Sequence, residues 1–260
     1  MQRAPLILLS NDDGYFSKGI RKLRQALLDA GAQVVLVAPE TEQSASSHAL
    51  SLHRPLRLRE SEPGIYAVDG TPADCVYVAL YSGTRLLERA PDLVITGLNK
   101  GPNLGQDVFY SGTVAAAREG ALCGIRALAT SAGFRANIDE AARVAARVAM
   151  AILAAPMTAP VLFNLNIPDH WNGELRTTRL GSRIYEQEVE FRKDPRGREY
   201  LWIGGSEVRH ERADGTDTDA HDDGLASLTP LVLELTSPTE ITLAKQVANE
   251  AIKQLSARCT

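Results

Sequence analysis

Continuous apolar runs alternate with amphipathic stretches through the first part of the chain. Leu6–Ser10 and residues 33–38 are apolar runs of strand length, and residues 17–30 between them carry Ile20 and Leu23 at helical spacing. Strands that are apolar without alternation are typical of a parallel sheet whose two faces are both covered by helices. The pattern therefore predicts an α/β fold built on a mostly parallel sheet.

The same alternation continues to residue 168. Further strands are predicted at residues 50–58, 65–68, 92–96, 127–131 and 161–167. Further helices are predicted at residues 73–81, 112–122 and 138–154. Thr71 has the chemistry of an N-cap for the first of these helices, with Pro72 at its first position. Residues 50–58 alternate apolar and polar side chains, as a strand with one exposed face does.

The character of the sequence changes at Asp169. Residues 169–224 are polar, with period-2 stretches at 176–192, a turn at 194–197 and a strand-like run at 200–203, which together predict a β-rich arm. A buried strand at 228–235 and a closing helix at 239–255 follow. We predict one domain over residues 1–260, with a core at 1–168 and 225–238, an arm at 169–224 and a C-terminal helix at 239–256.

Composition excludes several classes of protein. Hydrophobic residues make up 44% of the chain and charged residues 23%, as in an ordinary globular protein. The net charge of −4 and the absence of a basic block argue against a surface for nucleic-acid polymers. We expect no signal peptide and no membrane span. Cys75, Cys123 and Cys259 form no paired motif, which predicts neither disulfides nor a zinc site and favours the cytoplasm.

Polar residues follow three of the predicted parallel strands, where ligands collect in open α/β sheets. The residues concerned are Asn11, Asp12 and Asp13; Ser44, Ser46, Ser47 and His48; and Asn99, Lys100, Asn103, Ser111, Gly112 and Thr113. Their oxygens are hard donors, which favour Mg²⁺ or Mn²⁺ over softer metals. Two adjacent carboxylates at the end of a buried strand also call for a positive partner.

Each of these motifs has a simpler interpretation when it is taken alone. Asp12 and Asp13 could be solvated turn residues, one of them capping the next helix, and on that stretch alone we favour this interpretation slightly. Ser111-Gly112-Thr113 could be an anion site at a helix start or a plain cap, and the plain cap is the more common case. His48 is a candidate general acid, although a loop histidine is more commonly a surface residue.

Familiar nucleotide motifs are missing. The chain has no P-loop signature, and Gly97, Gly101 and Gly105 are spaced by four, which does not fit the dinucleotide fingerprint. The histidines lack the spacing of a zinc-hydrolase helix. The observed stretches do, however, resemble those of a known family. They are LLSNDDG with SKGI, VVLVAPETEQS, VDGTPADCVYVAL, PDLVITGLNKGPNLGQDVFYSGTVAAAREG, FNLNIP, DPRGREYLWIGG and GTDTDAHDDGLASLTPL.

In this order and over most of the chain, the stretches resemble the survival protein SurE family of metal-dependent nucleotidases. The resemblance implies one divalent ion, Mg²⁺ or Mn²⁺, per subunit, held by Asp12, Asp13, Ser44 and Asn99. It associates Ser111, Gly112 and Thr113 with phosphate, and we add Asn11 to that group. It further implies a Rossmann-like core, with a β-hairpin arm and a C-terminal helix that exchange between subunits of a homodimer or homotetramer.

The expected activity is hydrolysis of nucleoside 5′- and 3′-monophosphates by a metal-activated water, which Asp12 or Asp13 also orients. An exopolyphosphatase acting on short chains, or a broad phosphatase, would use the same site. A regulatory protein that binds nucleotides without turnover is the alternative outside enzymes. The chain departs from the family pattern at Leu225, where an aromatic residue is expected, and around His48, to which no family role carries over.

Overall fold

The protein is described here from a computed structural model that covers residues 3–156, 159–185, 189–203 and 208–257, without the side chains of residues 255–257. The strands are β1 (Leu6–Ser10), β2 (Gln33–Pro39), β3 (Leu58–Glu62), β4 (Ile65–Val68), β5 (Leu93–Lys100), β6 (Ala127–Ala132), β7 (Leu162–Ile167), β8 (Leu175–Thr177), β9 (Ser182–Tyr185), β10 (Val189–Lys193), β11 (Glu199–Ile203), β12 (Val208–Glu211) and β13 (Ala226–Leu231). The helices are α1 (Lys18–Asp29), α2 (Pro72–Tyr81), α3 (Gly112–Leu122), α4 (Ile138–Ala154), α5 (Asp217–Asp222) and α6 (Ile241–Ala257).

The main sheet has the strand order β3-β4-β2-β1-β5-β6-β7-β13-β8. The six central strands from β4 to β7 all run parallel, whereas β3 and β13 each pair antiparallel with the neighbouring strand of that block. Parallel neighbours put their carboxyl ends at the same edge of the sheet. The prediction of a mostly parallel sheet is confirmed, and the loops that follow β1, β2 and β5 share that edge.

The alternation of side chains along β1 explains why its sequence is apolar throughout. Ile7 and Leu9 belong to the core beneath α1 and α4, and Leu6 and Leu8 belong to the core beneath α2. Successive side chains of a strand point to opposite faces, so a strand covered on both faces needs apolar residues at every position. The helices therefore lie on both sides of the sheet, as the pattern predicts.

Most predicted elements are present with small shifts at their ends. The predicted helices at 112–122 and 138–154 have the expected bounds. At the start of α2, Thr71 lies directly before Pro72 and forms a capping box with Asp74. The strand predicted at 92–96 continues to Lys100, so Asn99 belongs to the end of β5 instead of a loop. A short helix, α5, was not predicted, although Thr216 caps it by accepting from the Asp219 amide.

The strand predicted at residues 50–58 is wrong. Residues 50–57 form no strand, and β3 begins only at Leu58. The Ser51 amide donates to Asp74 Oδ1 at 2.8 Å and the Arg57 amide donates to Asp69 Oδ1 at 2.7 Å. These carboxylates satisfy backbone groups that a strand would pair with a neighbour. The alternation of apolar and polar residues at 50–57 therefore does not correspond to a strand, because the segment has no neighbouring strand among the described residues with which to pair.

The strand predicted at residues 228–235 is shifted. β13 begins at Ala226 and ends at Leu231, and the following residues leave the sheet with Val232 78% and Leu235 88% exposed. Its partner β7 ends its register at Leu162, which pairs with Leu231. The apolar run continues beyond that point without a neighbouring strand to pair with, which is why hydrophobicity alone overextends the element.

The described residues of the polar segment 169–224 form three parts: the hairpin of β10 and β11, a separate antiparallel pair of β9 and β12, and β8 with α5. β10 and β11 form an exposed antiparallel hairpin closed by the turn in which the Gly197 amide donates to Asp194 O at 2.9 Å. β8 instead joins the main sheet beside β13, and the buried start of α5 packs against the body of the fold. Residues 186–188 of the predicted period-2 stretch lie outside the described residues. The division into core, arm and C-terminal helix stays a prediction.

The C-terminal helix stands away from the core. Residues 241–254 of α6 are all exposed, including Ile241, Leu243, Val247 and Ile252. The predicted exchange of this helix and the arm between subunits stays a prediction for a single chain. Within the described part of the chain, no helix combines the length and the apolar character needed to cross a bilayer.

Gly19 lets α1 pack directly on β5, and its replacement is a test of this contact. A Cβ at this position would lie 2.1 Å from Leu98 O, which is backbone. We expect Gly19→Ala to lower the free energy of unfolding by about 1–3 kcal/mol, because the helix must move away from the sheet. Urea denaturation measures this. Gln25→Ala, on the exposed face of the same helix, is the control and should change stability by less than about 0.5 kcal/mol; equal stabilities would contradict the packing.

Candidate metal and phosphate site

Asp12 and Asp13 lie at the carboxyl end of β1, where the buried strand meets the edge loops. Asp12 is only 6% exposed, and its Oδ1 accepts a short hydrogen bond from the Thr113 hydroxyl of α3. Asp13 is half-buried and its carboxylate accepts from the backbone N–H of Lys100 at the end of β5. The N-cap of α1 is Ser17, so neither aspartate caps that helix and the simpler interpretation of the pair is wrong.

The two carboxylates are buried or half-buried and repel each other when both are ionised. Burial raises the pKa of Asp12 above its usual range, against the stabilising hydrogen bond from Thr113. Burial and the neighbouring charge of Asp12 raise the pKa of Asp13 to about 6. Glu42 adds a third nearby negative charge to both aspartates. A cation between them would relieve this repulsion.

The loop after β2 is tied to both other loops of the edge. The Gln43 amide donates to Asp12 O at 2.8 Å, and the Ser47 amide and hydroxyl donate to Tyr110 O at 3.1 Å and Phe109 O at 2.8 Å. Ala45 and Ser47 both have positive φ, at 54° and 52°, which folds the loop back on itself. The serines of this loop are thereby held beside Asp12 and the start of α3.

The structure distinguishes the serines of this loop. The hydroxyl of Ser44, the predicted metal ligand, is exposed and donates to Glu42 Oε1 at 2.7 Å. The hydroxyl of Ser46 is buried, has no hydrogen-bond partner among the described residues, and faces Gly112, where an added Cβ would lie 2.9 Å from it. Ser46 is therefore a further candidate ligand. Sequence reasoning placed it among the loop donors but could not separate it from its neighbours.

The end of β5 contributes donors with different orientations. The Asn99 side-chain amide donates to Gly101 O at 2.8 Å, which leaves its carbonyl oxygen for a cation. Asn103, another candidate from the sequence, faces the interior instead. Its side chain donates to Ser131 Oγ at 2.9 Å, its amide donates to Asn166 Oδ1 at 2.7 Å, and it has a structural role.

The start of α3 closes the site. The Ser111 hydroxyl caps the helix by accepting from the Val114 amide at 3.1 Å, so this part of the plain-cap interpretation is correct. Gly112 lies against Asp12, and an added Cβ would come within 2.9 Å of Asp12 Cβ and 3.1 Å of Asp12 Oδ2. The backbone of this turn is thus open toward the carboxylates, and the helix start favours an anion there.

Asn11 and His48 have more limited roles in the described contacts. Asn11 Nδ2 donates to Gly14 O at 2.9 Å and Ser17 Oγ at 3.0 Å, while its Oδ1 is buried without a partner. His48 Nε2 lies 2.7 Å from Glu119 Oε2 on α3, and no described contact joins it to Asp12 or Asp13. The role of His48 as a general acid stays a prediction.

The residues of the edge fit a hard divalent cation and a phosphate. Two carboxylates with raised pKa, the free carbonyl oxygen of Asn99 and the unpartnered hydroxyl of Ser46 are oxygen donors of the kind that Mg²⁺ and Mn²⁺ prefer. Among the described residues, no three His, Cys, Asp or Glu side chains converge on one point, so neutral oxygens must complete any coordination. Gly112 lets the backbone at the start of α3 lie directly against Asp12.

Comparison with known proteins identifies the same family as the motifs do. The family model described as survival protein SurE matches residues 7–187. The protein from Sorangium cellulosum called 5′-nucleotidase SurE is 56% identical over 236 residues, which are 89% of this chain and 91% of that protein. The 5′-nucleotidase SurE of Myxococcus xanthus is 49% identical over 234 residues, 88% of each chain.

A solved structure agrees with the fold. The crystal structure of the SurE protein from Aquifex aeolicus superposes with a TM-score of 0.81 at 37% identity, and the match covers 94% of this chain and all of that one. The mostly parallel sheet flanked by helices is thus shared with a structure of related sequence.

The raised pKa of Asp13 leads to a prediction for the metal-free protein. A carboxyl whose pKa is raised to about 6 in the folded state contributes stability when protonated and loses it as pH rises through about 6. In EDTA at pH 8, Asp13→Asn should therefore be more stable than the wild type by about 1–2 kcal/mol, a value reduced for the partial solvent screening of this half-buried group. The difference should shrink toward pH 4.

Thermal unfolding across pH measures the effect, and Asp29→Asn is the control at an exposed position. Adding Mg²⁺ or Mn²⁺ at pH 8 should raise the melting temperature of the wild type more than that of Asp13→Asn. A variant that is destabilised at every pH, or that gains as much from the metal as the wild type, would contradict a strained carboxylate pair.

Proposed function

Because the chain belongs to the survival protein SurE family, we propose that it is a divalent-metal-dependent phosphomonoesterase that hydrolyses nucleoside 5′- and 3′-monophosphates. The observation that carries the proposal is the contact of Asp12 with the start of α3. One residue of a repelling carboxylate pair touches Gly112 and Thr113, so a cation site and an anion site adjoin. The proteins of Sorangium and Myxococcus, named as 5′-nucleotidases, are consistent with this use.

Asp12, Asp13 and Asn99 would hold one Mg²⁺ or Mn²⁺ ion, with Ser44 or Ser46 completing the set. Thr113 donates to one oxygen of Asp12 and the Lys100 amide donates to Asp13, so both carboxylates are oriented before any ligand arrives. When bound, the ion neutralises phosphate charge and lowers the pKa of a coordinated water. A carboxylate oxygen that is free of these bonds is the group that would orient the attacking water.

The start of α3 would bind the phosphoryl group. Its first amides are free of intrahelical partners, except that the Val114 amide is used by Ser111. Fixed N–H donors of this kind stabilise the negative charge that develops on a phosphoryl group in the transition state. The Ser111 hydroxyl accepts from Val114 and can still donate to a phosphate oxygen, whereas the Thr113 hydroxyl already donates to Asp12, so that Thr113 would contribute its backbone amide. The Asn11 Oδ1, which can only accept, would contact a hydroxyl of the substrate.

The sequence-based expectation that the protein is a homodimer or homotetramer with exchanged C-terminal elements is part of the proposal. Its support is the exposure of Leu243 and Val247 on α6 and of the hairpin formed by β10 and β11. An amphipathic helix usually buries its apolar face, and a subunit partner would do so.

Phosphate release with and without chelator tests the proposed activity. We expect release from nucleoside 5′- and 3′-monophosphates in Mg²⁺ or Mn²⁺ and none in EDTA. Asp12→Asn and Asp13→Asn should each lower kcat/KM by about 10²-fold or more, because each removes charge at the cation site. Asp29→Asn is the matched control. Wild-type activity in both Asp12→Asn and Asp13→Asn would contradict the proposal.

Further arms of the same assay separate the alternatives. A higher kcat/KM for tripolyphosphate than for nucleotides would indicate an exopolyphosphatase, and tight nucleotide binding without release would indicate a regulatory protein. Paired Ser44→Ala and Ser46→Ala variants show which hydroxyl matters. If Ser44 is the ligand in the loaded protein, only its loss should weaken activation by the metal.

Gly112→Ala tests the space for phosphate. The added methyl group would lie 2.9 Å from both Asp12 Cβ and Ser46 Oγ, so it would push Asp12 away from the start of α3, where the phosphate is proposed to bind. We expect kcat/KM to fall by about 10²-fold or more while the helical circular-dichroism signal is retained, since alanine favours a helix. Leu122→Ala, on the exposed end of the same helix, is the control and should leave activity unchanged. Full activity of Gly112→Ala would mean that phosphate binds elsewhere.

A further inference from the structure

A cavity of about 610 Å³ opens directly beside Asp13. Its wall is formed by the start of α1, the end of β5 and the turn that leads into α4, with Lys18, Lys100, Phe134 and Ile138 among its lining residues. The volume lies within the range of about 300–1,000 Å³ that is typical of small-molecule sites. Asp13 belongs both to the carboxylate pair and to the wall of this cavity. A molecule whose phosphate is held at the carboxylates could therefore extend its remaining part into the cavity.

Phe134 presents an exposed aromatic ring at the wall of this cavity. The tip of its ring lies close to Gly101, where an added Cβ would be 2.7 Å from Phe134 Cζ and 2.9 Å from Phe134 Cε1, and the residue is 68% exposed. Gly101 has φ +112°, a backbone conformation that favours glycine, and the nearby ring leaves no room for a Cβ at this position. An aromatic ring that is held at its tip and is largely exposed is a surface on which a planar group can stack.

The turn that carries Phe134 is firmly held. The Gly133 amide donates to Ile167 O at 2.8 Å, and the Arg135 amide donates to Asp169 Oδ1 at 2.8 Å. The Gly101 amide, beneath the ring, donates to Ala132 O at 2.7 Å. The backbone that carries the ring is thus held at the ends of three strands, which gives the site a rigid support.

The charges of the cavity suit a neutral polar group joined to an anion. Asp139 is neutralised by Lys22, whose Nζ lies 2.6 Å from Asp139 Oδ1. The exposed Lys18 and Lys100 side chains then offer N–H donors along the opening. Sugar hydroxyls and the ring nitrogens and oxygens of a base can accept from such donors, and a base has the flat face that Phe134 can stack on.

We propose that this cavity is the nucleoside subsite, in which the base stacks on Phe134 while the phosphate lies at Asp12, Asp13 and Gly112. This proposal rests on the proposed function. It adds that Phe134 and the cavity around it cause the enzyme to prefer substrates that carry a base. The competing location is the apolar groove on the other side of the site, lined by Phe109, which is 57% exposed, and by Leu231 and Leu235. That groove is mainly apolar and contains Glu119 paired with His48 and one guanidinium, that of Arg118, whereas the cavity beside Asp13 has two exposed lysines.

The test compares a substrate that has a base with one that lacks it. We measure kcat/KM for adenosine 5′-monophosphate and for ribose 5-phosphate in the full-length protein with Mn²⁺. Phe134→Ala should lower the ratio of the two values about tenfold or more, the size expected for loss of one stacking contact, with ribose 5-phosphate unchanged. Phe134→Tyr should restore the ratio. Phe109→Ala is the matched control and should leave the ratio at the wild-type value.

Adenosine binding, measured by equilibrium dialysis, separates the subsite from the activity. Wild type should bind adenosine at least about tenfold more tightly than Phe134→Ala. If no phosphoester is hydrolysed but this difference is seen, the proposed function fails and the subsite stands. If nucleotides are hydrolysed while Phe134→Ala keeps the wild-type ratio and adenosine affinity, the subsite is wrong and the function stands. A loss of the ratio in Phe109→Ala alone would move the base to the other groove.

Discussion

The repulsion between two adjacent carboxylates at the end of a buried strand is the constraint on which the site depends. The Thr113 hydroxyl donates to Asp12, and the backbone of Lys100 lowers the pKa of Asp13, which offsets part of the cost of placing both carboxylates there. Those two donors come from α3 and β5, so the sheet edge must bring both elements to β1. Even so, burial keeps the pKa of each carboxyl raised, and the pair is best satisfied by a cation.

Close backbone approach is what allows those elements to meet. Gly19 lets α1 lie on Leu98, Gly97 fits against Thr130 O, where a Cβ would be 2.2 Å away, and Gly112 lets the start of α3 reach Asp12. Each contact is made by a glycine because a side chain of any size would separate the two backbones. The polar segment adds a further support, since Asp217 accepts from the Gly105 amide at 3.0 Å and from the Gly181 amide at 2.6 Å. Arg183 and Tyr185 also bind Asp107 in the loop that leads to α3.

The candidate site could be predicted in outline because its residues follow strands. Parallel strands bring their carboxyl ends together, so the donors after β1, β2 and β5 had to share an edge whatever the details of the loops. The individual donors could not be chosen in this way. Ser44 and Ser46 differ by two positions in an irregular loop, yet one hydroxyl is exposed and the other is buried against Gly112. Positive φ at Ala45 and Ser47 decides that difference, and neither residue type signals it.

Periodicity by itself determined the strands and helices of the core, because burial on both faces of β1, β2 and β5 demands unbroken apolar runs. Periodicity failed where the structure of a segment depends on hydrogen-bond partners that the pattern of apolar and polar residues does not reveal. Residues 50–57 alternate but bond to carboxylates, the apolar run after Leu231 outlasts its partner strand, and Asn103 turns inward to Asn166. Only the tertiary structure decided these points, and only it placed the ring of Phe134 beside Asp13, because hydrogen-bond partners and side-chain directions depend on residues far apart in the chain.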